Sequence, residues 1–317
     1  MRLVRGLLNA HPQPHGAVVT IGNFDGVHRG HQALVMRARE QALLLGADTA
    51  VLSFEPTPRE YFCPAEAPGR IDTLRGKRAT LAALGVDHLV LQRFGRHFAA
   101  WSPDDFVRDG LVGHLGIRGL VVGDDFRFGA QRSGDLHLLH DLGDRHGFFV
   151  ESVPAVEADG QRCSSTAVRA ALAAADLGQA ERLLGRRYTL TGRVRGGLQL
   201  GRKLGMPTAN IVLRRRPALR LGVYVVTARG TGGTSVPARA WQGVASIGVR
   251  PTLGLTQCLL ETHVFDDQPD LYGVELQVEF QHFLRPELRF ESVEALAAQM
   301  QRDKQDAMAF FRSATDN

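Results

Sequence analysis

The chain has 317 residues, 44% of them apolar and 22% charged, with a formal net charge of +5. That balance belongs to a folded, water-soluble protein of one large or two ordinary domains and excludes intrinsic disorder. No run approaches the roughly 20 uncharged apolar residues that cross a bilayer, and "MRLVRGLLNAHPQPHG" has too short an apolar core for a secretion signal, so a cytoplasmic location is expected. Cys63, Cys163 and Cys258 are far apart and lack metal-ligand spacing, which makes them reduced, structural residues.

In chain order, β-rich runs alternate with helical patterns up to about residue 186. "AVVTIG" precedes a helix over 30–46, "TAVLSF" one over 72–84, "HLVLQ" one over 103–116, "GLVVG" one over 135–146, and "FFVESV" a stretch from 165. Ser102-Pro103-Asp104-Asp105 and Ser164-Ser165-Thr166 supply helix caps where the pattern needs them. The rhythm predicts a parallel sheet covered by helices. After "LLGRRY" the chain turns to short alternating strands such as "YTLTGRVR", "GVYVVTAR", "LLETHVF" and "VELQVEF", with a terminal helix over 292–312. The expected fold class is therefore α/β: a Rossmann-like parallel-sheet domain over residues 1–186, then a small β-barrel domain with a terminal helix over 187–317.

Charge is uneven between these halves. Residues 1–186 hold 21 Lys and Arg against 21 Asp and Glu, and residues 187–317 hold 17 against 12. A basic half suits nucleic acid or phosphorylated small molecules. No aromatic stacking platform or recognition helix accompanies Arg214, Arg215 and Arg216, so they read as a solvated loop and no nucleic-acid partner is expected. The sequence carries no signal for oligomeric state.

The stretch "TIGNFDGVHRGH" joins the first buried strand to the first helix, which is where α/β sheets bind nucleotides. Free N–H groups at a helix start attract phosphate, Gly30 leaves room for close approach, and the imidazoles of His28 and His31 can donate to phosphate oxygens. Such donors suit charge that grows during phosphoryl or nucleotidyl transfer. Metal binding by the pair is disfavoured, since no third ligand lies nearby in sequence.

At this point the sequence resembles the bacterial bifunctional riboflavin kinase/FAD synthetases. "GNFDGVHRGH" is similar to their first His-x-Gly-His nucleotidyltransferase motif, followed in order by "SFEPTPRE", "VVGDDFRFG" and "CSSTAVR". "GRKLGMPTANI", "GVASIGVRPT", "LLETHVFD" and "DLYG" resemble the motifs of the kinase half, so the likeness runs from about residue 15 to 312. The resemblance implies a nucleotidyltransferase half that adenylylates FMN to FAD and a flavokinase half that phosphorylates riboflavin to FMN. ATP is the co-substrate of both, riboflavin, FMN and FAD are substrates or products, and Mg²⁺ is the metal.

Residue by residue, the resemblance gives His28, His31 and Arg169 catalytic roles at the ATP phosphates. It adds Gly22, Asn23, Phe24, Asp25 and Gly30 of the first loop and Ser164, Ser165 and Thr166 as phosphate-binding residues. From the residues alone, that Ser-Ser-Thr block is a capped helix start with a guanidinium one turn in, which can serve as a phosphate fork or as a plain cap. Asp124, Asp125 and Arg127 follow an apolar strand and are expected to contact flavin or nucleotide, although a carboxylate-arginine brace would have the same sequence. In the second half "GGLQLGRKL" imitates a Walker A loop but misplaces its lysine and lacks a following helix, so a P-loop is rejected. The resemblance instead places ATP on Gly201, Lys203, Gly205, Thr208 and Asn210, with Thr208 and Asn210 as oxygen ligands for Mg²⁺. It makes Glu261 the base for the ribityl hydroxyl and Arg250 a flavin contact. The chain departs from the family at Ser246, where Asn is usual, at Gly196-Gly197, where His-Gly is usual, and at Thr57, where His is frequent. The first two departures bear on flavin affinity and loop closure.

Two other readings are open to the residues. One is a single-function nucleotidyltransferase with a merely structural barrel, against which Thr208, Asn210 and Glu261 together argue. The other is a nucleic-acid or regulatory module, which would need neither the histidine pair nor the Ser-Ser-Thr block.

Overall fold

A parallel sheet and a closed antiparallel barrel divide the chain between them. The structure is a computed structural model that describes residues 1–196, 205–231, 240–252, 255–265 and 270–315, with the side chains of all but 250–252, 255–257 and 315. Met1–Pro68 and Lys77–Ser164 form one compact unit, and Gly69–Gly76 with Ser165–Asn317 the other.

The first unit is built on six parallel strands in the order β1-β4-β3-β2-β5-β6. These are β1 (Arg2–Arg5), β2 (Ala17–Ile21), β3 (Asp48–Phe54), β4 (His88–Gln92), β5 (Ile117–Gly123) and β6 (Phe149–Val153). The helices are α1 (Arg29–Leu45), α2 (Pro58–Phe62), α3 (Leu74–Ala83, which belongs to this unit from Lys77 on), α4 (Arg96–Ala99), α5 (Pro103–Asp105) and α6 (Leu136–His146). All five residues of β2 are buried, as expected of a central strand covered on both faces. Val19, Leu52, Leu120, Leu139 and Leu142 belong to the core on one side of the sheet, and Val18, Ala38, Ala42 and Val121 to a cluster that includes α1 on the other. The helix expected over 103–116 is a short α-turn that runs into a π-helical stretch, Phe106–Leu115, and stops at Gly116 in the left-handed conformation. Strand β1, "RLVR", escapes a pattern search because only its two central residues are apolar. A small hairpin, β7 (Glu157–Ala158) with β8 (Gln161–Arg162), follows the sheet.

The second unit contains α7 (Ser165–Ala173), α8 (Leu177–Leu184) and a closed barrel of order β10-β13-β12-β11-β14-β9. Its strands are β9 (Thr189–Arg195), β10 (Ala209–Leu213), β11 (Gly222–Gly230), β12 (Ala240–Thr252), β13 (Leu255–Val264) and β14 (Glu275–Arg285). Ile211, Leu260, Ile247, Tyr224, Val226 and Phe280 are buried on the inner face, and alternation puts Asn210, Glu261, Ser246 and Val223 on the outer one. The terminal helix α9 (Val293–Thr315) covers part of that outer face, packing Ala307 and Met300 with Val223, Val225 and Val244. Arg285 of β14 clamps α9 through a two-pronged pair with Asp303 at 2.7 and 2.6 Å. Segment Gly69–Gly76 joins this unit through Arg70 N–H to the Arg216 carbonyl, Thr73 Oγ1 to the Thr191 carbonyl and an Arg75–Glu275 ion pair.

Candidate active sites

In the first unit the chain leaves β2 and turns through Gly22–Val27 into α1. The turn uses left-handed backbone at Phe24, Gly26 and Val27, conformations that residues other than glycine hold only when their surroundings enforce them. Burial enforces them here, since Phe24, Asp25 and Val27 are all enclosed. The Asn23 carbonyl accepts from Ser53 Oγ at 3.0 Å and from Lys77 Nζ at 2.7 Å. Lys77 is only 2% exposed. A buried ammonium is costly unless it is hydrogen-bonded, so its presence under this turn marks a conformation worth holding.

His28 caps α1, and its Nδ1 accepts the His31 backbone N–H at 3.4 Å. That leaves Nε2–H as the donor of a neutral imidazole. The His31 ring stacks on His28 with centroids 3.7 Å apart. A side chain at Gly30 would press on the His28 ring at 3.2 Å and on the Cys163 carbonyl at 3.1 Å, so glycine permits both approaches. The expected histidine pair is thus a single stacked unit at a helix N-terminus, beside the residue that precedes Ser164. Ser165, Thr166 and Arg169 lie on α7 in the second unit, where Arg169 Nε donates to the Gly69 carbonyl at 2.9 Å.

The loop after β5 behaves as the brace that its sequence left open. Asp125 pairs with Arg162 at 2.8 Å and Arg127 with Asp135 at 3.0 Å. Asp135 also caps α6, and the Leu138 N–H and Arg127 together hold its carboxyl below the usual range. Asp124, Asp125 and Arg127 are all exposed. An aromatic cluster that motif spacing does not reveal lies after β3 and β4. Phe94 lies between Phe54, Tyr61, Phe62 and Phe98, with ring centroids 5.6 to 5.9 Å away. Phe62 is 63% exposed. The signal is present in "PREYF", shortly after β3, and in "RFGRHF", directly after β4. Thr57 caps α2 in a reciprocal pair with Glu60, which gives that departure a structural use.

In the barrel, register does the assembling. Asn210 of β10 lies directly opposite Glu261 of β13, which lies opposite Ser246 of β12, and on the other side Asn210 is paired with Arg195 of β9. The four therefore share the outer face in one row across four strands. Glu261 is half-buried and Arg195 exposed. Asn210 is 6% exposed, and its Oδ1 has no hydrogen-bond partner among the described residues. Its Nδ2 reaches the Thr208 carbonyl at 3.4 Å, and Thr208 is half-buried at the turn into β10. A buried amide oxygen without a partner is unfavourable unless something binds it, and oxygen is the donor that a hard cation takes. Gly205 is exposed with φ +74. Gly201 and Lys203 lie outside the described residues, as does the side chain of Arg250. Arg195 and Ser246 enter the row through pairing alone, which motif spacing does not reveal.

Comparison with known proteins matches the two parts of the chain to two family models. A family model for FAD synthetase matches residues 10–167, and one for riboflavin kinase matches residues 184–311. The bifunctional riboflavin kinase/FMN adenylyltransferase of Pseudomonas fluorescens is 48% identical over 310 residues, covering 98% of this chain and 97% of that one. The protein of the same description from Escherichia coli (strain K12) is 46% identical over 312 residues, 98% of each chain. Its Haemophilus influenzae counterpart is 44% identical over 313 residues, 99% of this chain and 100% of that one. A crystal structure described as a macrolide-efflux protein from Streptococcus pneumoniae shares the fold with a TM-score of 0.75 and 28% identity, over 96% of this chain and 97% of that one. Among the described residues here, no helix is long and apolar enough to cross a membrane. With a stacked histidine pair at the first helix, an Asn-Glu row on the barrel and relatives matched end to end, the chain belongs to the bifunctional riboflavin kinase/FMN adenylyltransferase family.

Proposed function

We propose that the chain converts riboflavin to FMN at the Asn210–Glu261 row and FMN to FAD at the His28–His31 stack, using one ATP at each. The observation that carries this reading is the separation of the two motifs, the stack in the parallel-sheet unit and the row in the barrel unit. As working domains we assign FMN adenylylation to residues 1–186 and riboflavin phosphorylation to residues 187–317, in the cytoplasm.

In the kinase reaction the terminal ribityl oxygen attacks the γ-phosphorus of ATP and ADP leaves. Glu261 accepts the proton that this oxygen gives up. Thr208 and Asn210 suit Mg²⁺, for which the unpartnered Asn210 Oδ1 is the supporting observation. Bound there, the ion would neutralise charge on the ATP phosphates. Arg195, exposed at the end of the row, is available to the same phosphates.

In the adenylylation reaction an FMN phosphate oxygen attacks the α-phosphorus of the second ATP and pyrophosphate leaves. The nucleophile is already an anion and needs no base, so the protein supplies position and charge stabilisation. His28 Nε2–H, His31 and the α1 N-terminus would serve the growing phosphate charge. Ser164, Ser165, Thr166 and Arg169 would hold the departing pyrophosphate. The flavin ring needs an apolar face to lie against, and the exposed ring of Phe62, held edge-on by Tyr61 and Phe94, would offer one after β3 and β4. Asp125 and Arg127 would contact the flavin only by exchanging their present ion pairs, while the exposed Asp124 would contact it directly.

The test is an incubation of the full chain with riboflavin, ATP and Mg²⁺, with the flavins separated by chromatography over time. FMN should appear first and FAD should follow. FMN without FAD would remove the adenylylation assignment. FAD from supplied FMN, with riboflavin untouched, would return the barrel to a structural role.

A further inference from the structure

The strand that carries Glu261 also carries His263, two residues on and on the same outer face. His263 is 2% exposed and lies opposite Val244, with the Phe265 ring at a centroid distance of 6.0 Å. Its Nδ1 is 2.9 Å from the Pro207 carbonyl oxygen, while its Nε2 is buried with no hydrogen-bond partner among the described residues. A carbonyl can only accept, so Nδ1 carries the proton of this contact. Burial disfavours the imidazolium and keeps the ring neutral.

The position of the accepting carbonyl gives this contact its meaning. Pro207 directly precedes Thr208, and proline has no N–H with which to anchor the turn itself. The other described polar contact at this turn, Asn210 Nδ2 to the Thr208 carbonyl, is long at 3.4 Å. Strand β13 therefore holds Glu261 opposite Asn210 and, one pleat further, clamps the turn that presents Thr208. A histidine that merely filled volume would need no donor aimed at this one carbonyl.

We propose that His263 is a positioning residue for riboflavin phosphorylation: by donating Nδ1–H to the Pro207 carbonyl, it holds Thr208 in place beside the Asn210–Glu261 pair that strand register sets. This rests on the assignment of the kinase reaction to the row. Asparagine carries its amide nitrogen at the place of Nδ1, whereas glutamine carries it one atom further out, so His263→Asn keeps the clamp and His263→Gln loses it.

The experiment uses the full chain and both variants, with initial rates measured at varied MgATP. In His263→Gln the KM for MgATP in riboflavin phosphorylation should rise about 10-fold, the scale of one lost hydrogen bond, with a smaller change in kcat. His263→Asn should stay within about 3-fold of the parent, and adenylylation of supplied FMN should be the same in all three. Independently of activity, the parent labelled with ¹⁵N-histidine should show the Nδ1–H tautomer for the imidazole signal that disappears in His263→Asn. An Nε2–H tautomer, or equal KM values in the Asn and Gln variants, would overturn the proposal. If His263→Gln does not fold, the tautomer and the His263→Asn kinetics decide it. A parent that phosphorylates no riboflavin would overturn the kinase reading and this proposal with it.

Discussion

The two units place their chemistry at opposite kinds of position. In the parallel-sheet unit the candidate groups collect where strands end, on the turn after β2 and at the start of α1. Backbone N–H groups and a helix terminus are concentrated there, and side chains complete what the backbone begins. In the barrel unit the groups stand in mid-strand, and pairing brings Arg195, Asn210, Glu261 and Ser246 side by side. A loop site is held by what lies beneath it, as Lys77 and Ser53 hold Asn23. A row site is held by the sheet's own hydrogen bonds. The first unit thus needs buried polar supports, and the second needs its register.

The largest effect is expected from removing the one group that the row supplies as a base. Glu261→Gln should lower riboflavin turnover by roughly 10² to 10⁴ while adenylylation of supplied FMN continues, measured by chromatography of both reactions. Unchanged riboflavin turnover would return Glu261 to an ordinary outward-facing strand residue.

His28→Ala and His31→Ala test the other unit. Each should lower FAD formation by at least about 10²-fold, the scale for losing a donor to developing charge, while FMN still accumulates. Loss of phosphorylation with adenylylation intact would reverse the assignment of the units.

The support beneath the turn should count for less than the groups upon it. Lys77→Met removes the ammonium from the Asn23 carbonyl but leaves Ser53 in place. Adenylylation should fall about 10-fold, with riboflavin phosphorylation unaffected. Equal loss of both reactions would make Lys77 a general stabiliser.

The smallest effect is expected at the exposed end of the row. Arg195→Ala should raise the KM for ATP in phosphorylation by about 3-fold, in keeping with a solvent-screened cation, and high salt should mask the difference. An unchanged KM at low salt would confine the row to Asn210, Glu261 and Ser246.

Much of this molecule was legible in the linear chain. Buried strands such as "AVVTI" and "HLVLQ" announce themselves by continuous apolar character, and His28, Gly30 and His31 by their place between a strand and an amphipathic helix. Strand β1 was illegible because it stands at a sheet edge with charged ends. Lys77 and the aromatic group around Phe94 were passed over because nothing local distinguishes a buried lysine from an exposed one, or a cluster from scattered phenylalanines.

Fold class, family and the types of residue available to each reaction rest on local patterns of apolarity, turns and motif spacing, and these are written in the linear chain. Tertiary structure alone decided that the histidines stack, that Asp125 and Arg127 are already paired elsewhere, and that Ser246 stands beside Glu261. The same holds for His263 and its hold on a carbonyl 56 positions away in the chain. The physical reason is one of range: propensity and patterning act within a few residues, whereas strand register and burial couple residues that only the closed barrel or the assembled sheet brings within hydrogen-bond reach.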